Sequence, residues 1–167
     1  AYTLSSAAVA AGPGAGTGTL SVTSSAGCGW TTTAADSWIT ITSGASSSGS
    51  GTVGFSLAAN PVAAPRVGTM FVAGQTVTVT QQAAVCTYGV TPTTASVAST
   101  AGSGAASVTT PGGCGWTATS NAGWITIASG ASGSGPGAVS YTIAANSTTS
   151  ARTGMLTVAG QTVTVTQ

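Results

Sequence analysis

The sequence predicts an all-β protein built as two tandem antiparallel β-sandwich domains, and three observations carry that reading. Apolar residues recur with a period of two, the strand period, and no helical stripe appears. Glycine and serine stretches such as Ser46–Gly51 separate these segments, while the helix formers Glu, Lys and Arg are nearly absent. The chain also repeats itself without a gap at an offset of 86 residues (Cys28 to Cys114), which carries Trp30 onto Trp116, Asn60 onto Asn146, Arg66 onto Arg152 and Gln81 onto Gln167. The domains implied are residues 1–82 and 83–167, with a short joint around Gln82–Val85 that is too brief to act as a free linker.

Within the first module the strands can be read in order. Thr19-Leu20-Ser21-Val22-Thr23 alternates, as do Trp38-Ile39-Thr40-Ile41 and Thr52-Val53-Gly54-Phe55-Ser56-Leu57. Thr69-Met70-Phe71-Val72 is joined to Thr76-Val77-Thr78-Val79-Thr80 by a tight turn at Ala73-Gly74-Gln75, the signature of a hairpin. Each has its counterpart in the second module, and Gln75–Gln81 recurs unchanged as Gln161–Gln167. About seven short strands in a module of this length read as an immunoglobulin-like sandwich.

Composition narrows the function. Of 167 residues, 42% are hydrophobic but only 2% are charged, against about a quarter in ordinary domains. Disorder combines low hydrophobicity with high net charge, and this chain has neither, so it should fold. Thr, Ser and Gly interrupt every apolar run, so no segment reads as a membrane span. Arg66 and Arg152 are the only basic residues, Asp36 is the one acid, and the net charge is +1. That balance makes no basic patch and argues against nucleic acid or an anionic membrane as partner. Near-zero charge also favours association. Ala1-Tyr2-Thr3-Leu4 lacks the basic stretch that opens a signal peptide, so the chain reads as a mature or trimmed form.

The heaviest residues are gathered in one block that occurs twice: Gly27-Cys28-Gly29-Trp30 with Trp38-Ile39-Thr40-Ile41, and Gly113-Cys114-Gly115-Trp116 with Trp124-Ile125-Thr126-Ile127. Further on, each copy carries Gly-x-Gly (Gly49–Gly51, Gly135–Gly137), Ala-Ala-Asn (Ala58–Asn60, Ala144–Asn146), Arg-x-Gly (Arg66–Gly68, Arg152–Gly154) and a closing Thr-Val-Thr-Gln (Thr78–Gln81, Thr164–Gln167). This order resembles the BACON family of immunoglobulin-like modules over nearly the whole chain. The resemblance implies a bacterial β-sandwich, extracellular or at the cell surface, that often serves as a repeated accessory module. Carbohydrate or mucin binding is the function it suggests.

Cys86 and Cys114 fall in the same module, which makes an internal disulfide the expected arrangement, with buried free thiols as the plainer alternative. Such a staple would contribute about 3–4 kcal/mol. The repeat offset places the partner of Cys28 one residue ahead of Ala1. Three readings of Cys28 stay open: a trimmed chain, a buried free thiol, or an inter-chain disulfide.

Catalytic chemistry finds little purchase. General acid–base work needs a positioned His, carboxylate or Lys; the chain has no His or Lys, and its single carboxylate, Asp36, is replaced by Ala122 in the second module. Paired carboxylates for glycoside hydrolysis are therefore ruled out within one chain. Serines lack a base to activate them. The cysteine spacing makes no zinc motif, and no glycine-rich segment carries the lysine of a phosphate loop. The sequence points to a non-enzyme without cofactor or metal. Trp30, Trp38, Trp116 and Trp124 sit in or beside strands and read as core anchors rather than sugar platforms. Arg66 and Arg152 read as structural cations that bond turn carbonyls or lie on a Trp face. Asn60 and Asn146 read as turn formers; Asn146-Ser147-Thr148 also matches a glycosylation acceptor, which Asn60-Pro61 does not.

Two functions follow. One is a structural module, a fibre subunit or surface spacer that associates with itself head to tail. Its strand-exchange segments would be the uncharged ladders Thr76, Val77, Thr78, Val79, Thr80 and Thr162, Val163, Thr164, Val165, Thr166, which lack the charges that guard sheet edges. A head-to-tail contact repeated without closure gives a filament. The alternative is a carbohydrate-binding module presenting hydroxyl-rich loops, although sugar sites also need amide or charged side chains beside an aromatic platform.

Overall fold

The computed structural model describes residues 1–167 and contains strands but no helix. The chain divides into two compact units, Ala1–Val85 and Cys86–Gln167. The joint residues belong with the first unit because they bond to it: Gln82 N donates to Ala11 O, and Ala84 N to Val62 O.

In the first unit the strands are β1 (Thr3–Leu4), β2 (Ala8–Ala11), β3 (Gly16–Thr23), β4 (Gly29–Ala34), β5 (Ile39–Ser43), β6 (Ser46–Ser48), β7 (Gly51–Leu57), β8 (Arg66–Val72) and β9 (Gln75–Gln81). They form two sheets, a four-stranded one ordered β1-β3-β7-β5 and a five-stranded one ordered β2-β9-β8-β4-β6. Alternation decides which side chains meet between them. Leu20 and Val22 of β3, Val53, Phe55 and Leu57 of β7, and Ile39 of β5 come from one sheet. Trp30, Met70, Val72, Val77 and Val79 come from the other, and together they make one buried core.

The second unit repeats this plan with β10 (Gly89–Thr91), β11 (Thr94–Ser96), β12 (Gly102–Thr109), β13 (Gly115–Ser120), β14 (Ile125–Ser129), β15 (Ser132–Ser134), β16 (Gly137–Ile143), β17 (Thr153–Val158) and β18 (Gln161–Thr166). Its sheets run β10-β12-β16-β14 and β11-β18-β17-β13-β15. Its core holds Val108, Trp116, Val139, Tyr141, Ile143, Leu156 and Val163 among others.

The immunoglobulin-like all-β architecture expected from the sequence is therefore present, with two differences of detail. Each unit has nine short strands rather than about seven. The leading strand is split between the sheets, and β6 and β15 are three-residue additions. The split also makes the pairing less uniform. β1 runs antiparallel to β3, then the chain crosses to the other sheet without reversing, so β2 lies parallel to β9 and β11 parallel to β18. Ser6 supports the crossing, its Oγ accepting from Ala8 N at 3.2 Å.

This crossing corrects the premise behind the strand-exchange segments. Thr76–Thr80 lies in β9, which is flanked by β8 on one side and β2 on the other. Thr162–Thr166 lies in β18, between β17 and β11. Neither ladder is a sheet edge. The sequence showed the unguarded composition but not the short leading strand that covers it. The bare edges are β1 and β5 in one sheet and β2 and β6 in the other, with β10, β14, β11 and β15 as their counterparts.

The β8–β9 hairpin turns on Ala73 (φ 50°) and Gly74 (φ 75°), and the β17–β18 hairpin on Ala159 (φ 48°) and Gly160 (φ 76°). Two successive positive φ values define the type I′ turn whose twist matches the flanking strands.

Candidate functional site

The side chains singled out by the repeat fall into three constellations, set on the strands or at their ends. The first surrounds the Cys-Gly-Trp block. Trp30 on β4 and Trp116 on β13 point inward and are 5% and 7% exposed. Each indole Nε1 donates at 2.8 Å to a loop carbonyl, Gly49 O and Gly135 O respectively. The indoles lie so close to the opposite strand that a Cβ at Gly51 would come within 2.9 Å of Trp30, and one at Gly137 within 2.6 Å of Trp116. The Gly-x-Gly element of the sequence is thus the space that Trp occupies.

The second constellation joins Trp38, Arg66 and Gln81, and in the other module Trp124, Arg152 and Gln167. These Trp side chains pack against the core but are only partly buried, so as core anchors they differ from Trp30 and Trp116: they close the edge of the sandwich. The Arg66 guanidinium lies 4.3 Å from the Trp38 ring centroid, and that of Arg152 lies 4.2 Å from Trp124, within cation–π range. Arg66 Nε donates to Gln81 Oε1 at 2.8 Å, and its Nη2 to Ala58 O at 2.7 Å. Arg152 repeats this with Gln167 Oε1 at 2.9 Å and Ala144 O at 2.6 Å. Gln81, fully buried, passes the network on by donating from Nε2 to Gly14 O and Ala58 O, each at 3.1 Å. Gly68 and Gly154 of the Arg-x-Gly element leave room for the same indoles: a Cβ there would approach Trp38 to 2.5 Å and Trp124 to 2.8 Å.

The glutamines were missed in the sequence as partners of the arginines. The signal was present, because Arg and Gln recur together at the repeat offset. Asn60 and Asn146 complete the cluster. Their side-chain amides donate at 2.8 Å to Ala64 O and Ser150 O, and their Oδ1 atoms accept from the backbone N–H of Val62 and Thr148. The Asn146 amide of the acceptor-like triplet is therefore turned inward and 9% exposed. Asp36, unmatched in the second module, accepts from Thr69 N at 2.8 Å.

The third constellation holds the cysteines. Cys86 and Cys114 form a disulfide, with Cα atoms 5.6 Å apart. Cys28 is a free thiol, partly exposed. Ahead of each block a tyrosine pins the entering chain, a contact the sequence did not suggest. Tyr2 OH donates to Gly29 O and Tyr88 OH to Gly115 O, while Gln75 and Gln161 reach back to the Tyr2 and Tyr88 carbonyls.

The outer face of the five-stranded sheet is rich in hydroxyls. In the second module it carries Thr162, Thr164 and Thr166 beside Thr153 and Thr157, interrupted by the exposed Met155. In the first module Val67 and Phe71 replace Thr153 and Thr157 and are exposed. No group of three or more His, Cys, Asp or Glu residues is placed to hold a metal ion. No helix is long and apolar enough to cross a membrane.

Comparison with known proteins gives a family. Over residues 29–82 and 115–167 the chain matches the model of the BACON family, described as "Putative binding domain, N-terminal". No curated protein matches the chain. Among solved structures, a Bacteroides ovatus GH5 xyloglucanase in complex with a XXXG heptasaccharide is similar at 15% identity over 50% of this chain and 19% of its own, with a TM-score of 0.45. Yersinia pseudotuberculosis adhesin InvE is 12% identical over 99% of this chain and 58% of its own, with a TM-score of 0.42. A tandem from titin is 12% identical over 99% and 65%, with a TM-score of 0.36. The chain spans less than two thirds of each of these proteins, and the likeness is one of fold. The two matched segments together make up more than half of the sequence, and the chain belongs to the BACON family.

Proposed function

We propose that the chain is a non-catalytic extracellular structural protein, a tandem β-sandwich spacer whose units associate end to end as the subunit of a fibre. The observation that carries this reading is where the repeated side chains spend their bonds. Arg66, Gln81, Asn60 and their counterparts all bond to their own module's backbone or to one another. What is repeated is thus the means of building a sandwich, which suits a unit whose purpose is to be stacked. The Cys86–Cys114 disulfide supports an oxidising, extracellular setting. The bare edge strands carry no charged residue, and uncharged edges favour strand-to-strand association. Strand exchange at Thr76–Thr80 or Thr162–Thr166 would proceed by displacement of the short β2 or β11. Negative-stain microscopy of the native protein tests the reading. Fibres with an axial repeat of two modules are expected; separated monomers at high concentration would rule the fibre out.

A second reading, carbohydrate binding, is favoured by the family's description as a binding domain and by the threonine-lined outer sheet of the second module. A glycan array decides it: retained binding that is lost on Thr164→Lys would support it, and a blank array would remove it.

A further inference from the structure

The surroundings of Cys28 repeat those of Cys114 bond for bond. Cys28 N donates to Ser25 O at 3.3 Å and Cys114 N to Pro111 O at 3.2 Å; Gly49 N and Gly135 N donate at 2.9 Å to the two cysteine carbonyls. The preceding glycines, Gly27 and Gly113, share the left-handed conformation, with φ of 79° and 83°. The entering chain is also superposable in its pairing: Thr3 faces Thr23 as Gly89 faces Thr109, and Leu4 faces Val22 as Val90 faces Val108. Tyr2 and Tyr88 then make the same two bonds. One thing differs. Cys114 is 1% exposed beneath its bond to Cys86, which stands two residues ahead of Tyr88, whereas Cys28 is partly exposed and free.

We propose that Cys28 is a preformed disulfide site that takes a cysteine thiol carried two positions ahead of Tyr2, on a segment held as Cys86 is held ahead of Tyr88. The second thiol is one carried in line with Ala1, since Cys86 and Cys114 are already bonded to each other and Cys28 is the free cysteine. The step is an exchange. One thiolate attacks a small-molecule disulfide and releases one thiol, and the other then attacks the mixed disulfide and releases the second. The two cysteine sulfurs are oxidised, and the small disulfide is reduced to two thiols. The site stands on the congruence of the two modules and not on the fibre reading, so it would survive the absence of fibres.

The test adds one cysteine directly ahead of Ala1 and oxidises the full chain with glutathione disulfide. The expected product is a monomer lighter by two hydrogens, with complete loss of free thiol and a bond mapped to Cys28. The variant Ala1→Cys, which aims its side chain from the neighbouring position, is expected to leave Cys28 as a glutathione adduct. The unmodified chain should likewise give a capped monomer. Equal closure by Ala1→Cys, persistence of both thiols in the extended chain, or a Cys28–Cys28 dimer from the unmodified chain would each overturn the assignment.

Discussion

The two modules share a backbone plan but seal it differently, and the differences separate what the fold requires from what is optional. Both keep the Trp beneath the Gly-x-Gly, the Arg on the second Trp, the buried Gln and the turn-forming Asn. These polar pieces satisfy backbone groups that a short-stranded sandwich would otherwise leave bare. Around this shared frame the second module adds a disulfide and the first has none. The first module buries Thr32 where the second has Ala118, and it packs Phe55 where the second has Tyr141. It also uses Asp36 to hold Thr69 N, a bond for which Ala122 offers no replacement. The fold therefore tolerates a polar group in place of an apolar one at these sites, so long as the Trp–Arg–Gln framework stays intact.

The largest expected effect separates the modules by their cysteines. Cys86 and Cys114 close a loop with a sequence separation of 28. Fixing a loop of that size in the unfolded chain is worth about 3–4 kcal/mol. Cys114→Ala, or reduction of the wild type, should move only one of two urea transitions followed by tryptophan fluorescence, lowering it by that amount. Cys28→Ala should leave both nearly in place. Equal shifts in both transitions would mean that the modules do not unfold independently.

The next effect runs the other way. Thr32 is 4% exposed and its Oγ1 has no hydrogen-bond partner. A buried hydroxyl left unpaired costs about 1–3 kcal/mol, and an apolar group of the same shape removes that cost. Thr32→Val should therefore stabilise the first module by about 1 kcal/mol. The reciprocal Ala118→Thr should destabilise the second by a similar or larger amount, because it adds both volume and an unpaired hydroxyl. Urea midpoints of the two assigned transitions measure both. A loss of stability in Thr32→Val would show that the hydroxyl is satisfied after all.

How much of this could be read from the sequence depended on whether the cause was local or long-range. Strand alternation is local, so the inward set Leu20, Val22, Val53, Phe55 and Val77 was legible, as was the tight hairpin turn at Ala73-Gly74-Gln75. The repeat offset made the pairing of Cys86 with Cys114 a natural expectation. The strand order was not legible. Thr76–Thr80 has the composition of an unguarded edge, and only the crossing of Ser5–Ala7 between sheets, which places Ala8–Ala11 beside it, makes it an interior strand. Arg66 could be read as a structural cation, but its partner Gln81 lies fifteen residues away across a hairpin, and no local pattern links the two. Trp38 was legible as a packing residue and Arg66 as a cation for turn carbonyls or a Trp face; that these two are partners at the rim required the fold.

The smallest expected effect concerns Tyr141, whose phenol is buried in the second core and pushed above its ordinary value of 10.0 by desolvation. The unfolded chain gives up that proton first as the pH rises. The contribution to stability is therefore fully present below about pH 10 and is lost as pH climbs through the folded-state value. Phe55, in the equivalent place, has no proton to lose. The transition assigned to the second module should therefore fall relative to the first as the pH rises above about 10. Tyr141→Phe should abolish that divergence while leaving the midpoint at neutral pH nearly unchanged, since Phe55 already fills the same site in the first module. If the two transitions still separate in Tyr141→Phe, the alkaline sensitivity of the second module lies outside its core, and the phenol is not what distinguishes the two.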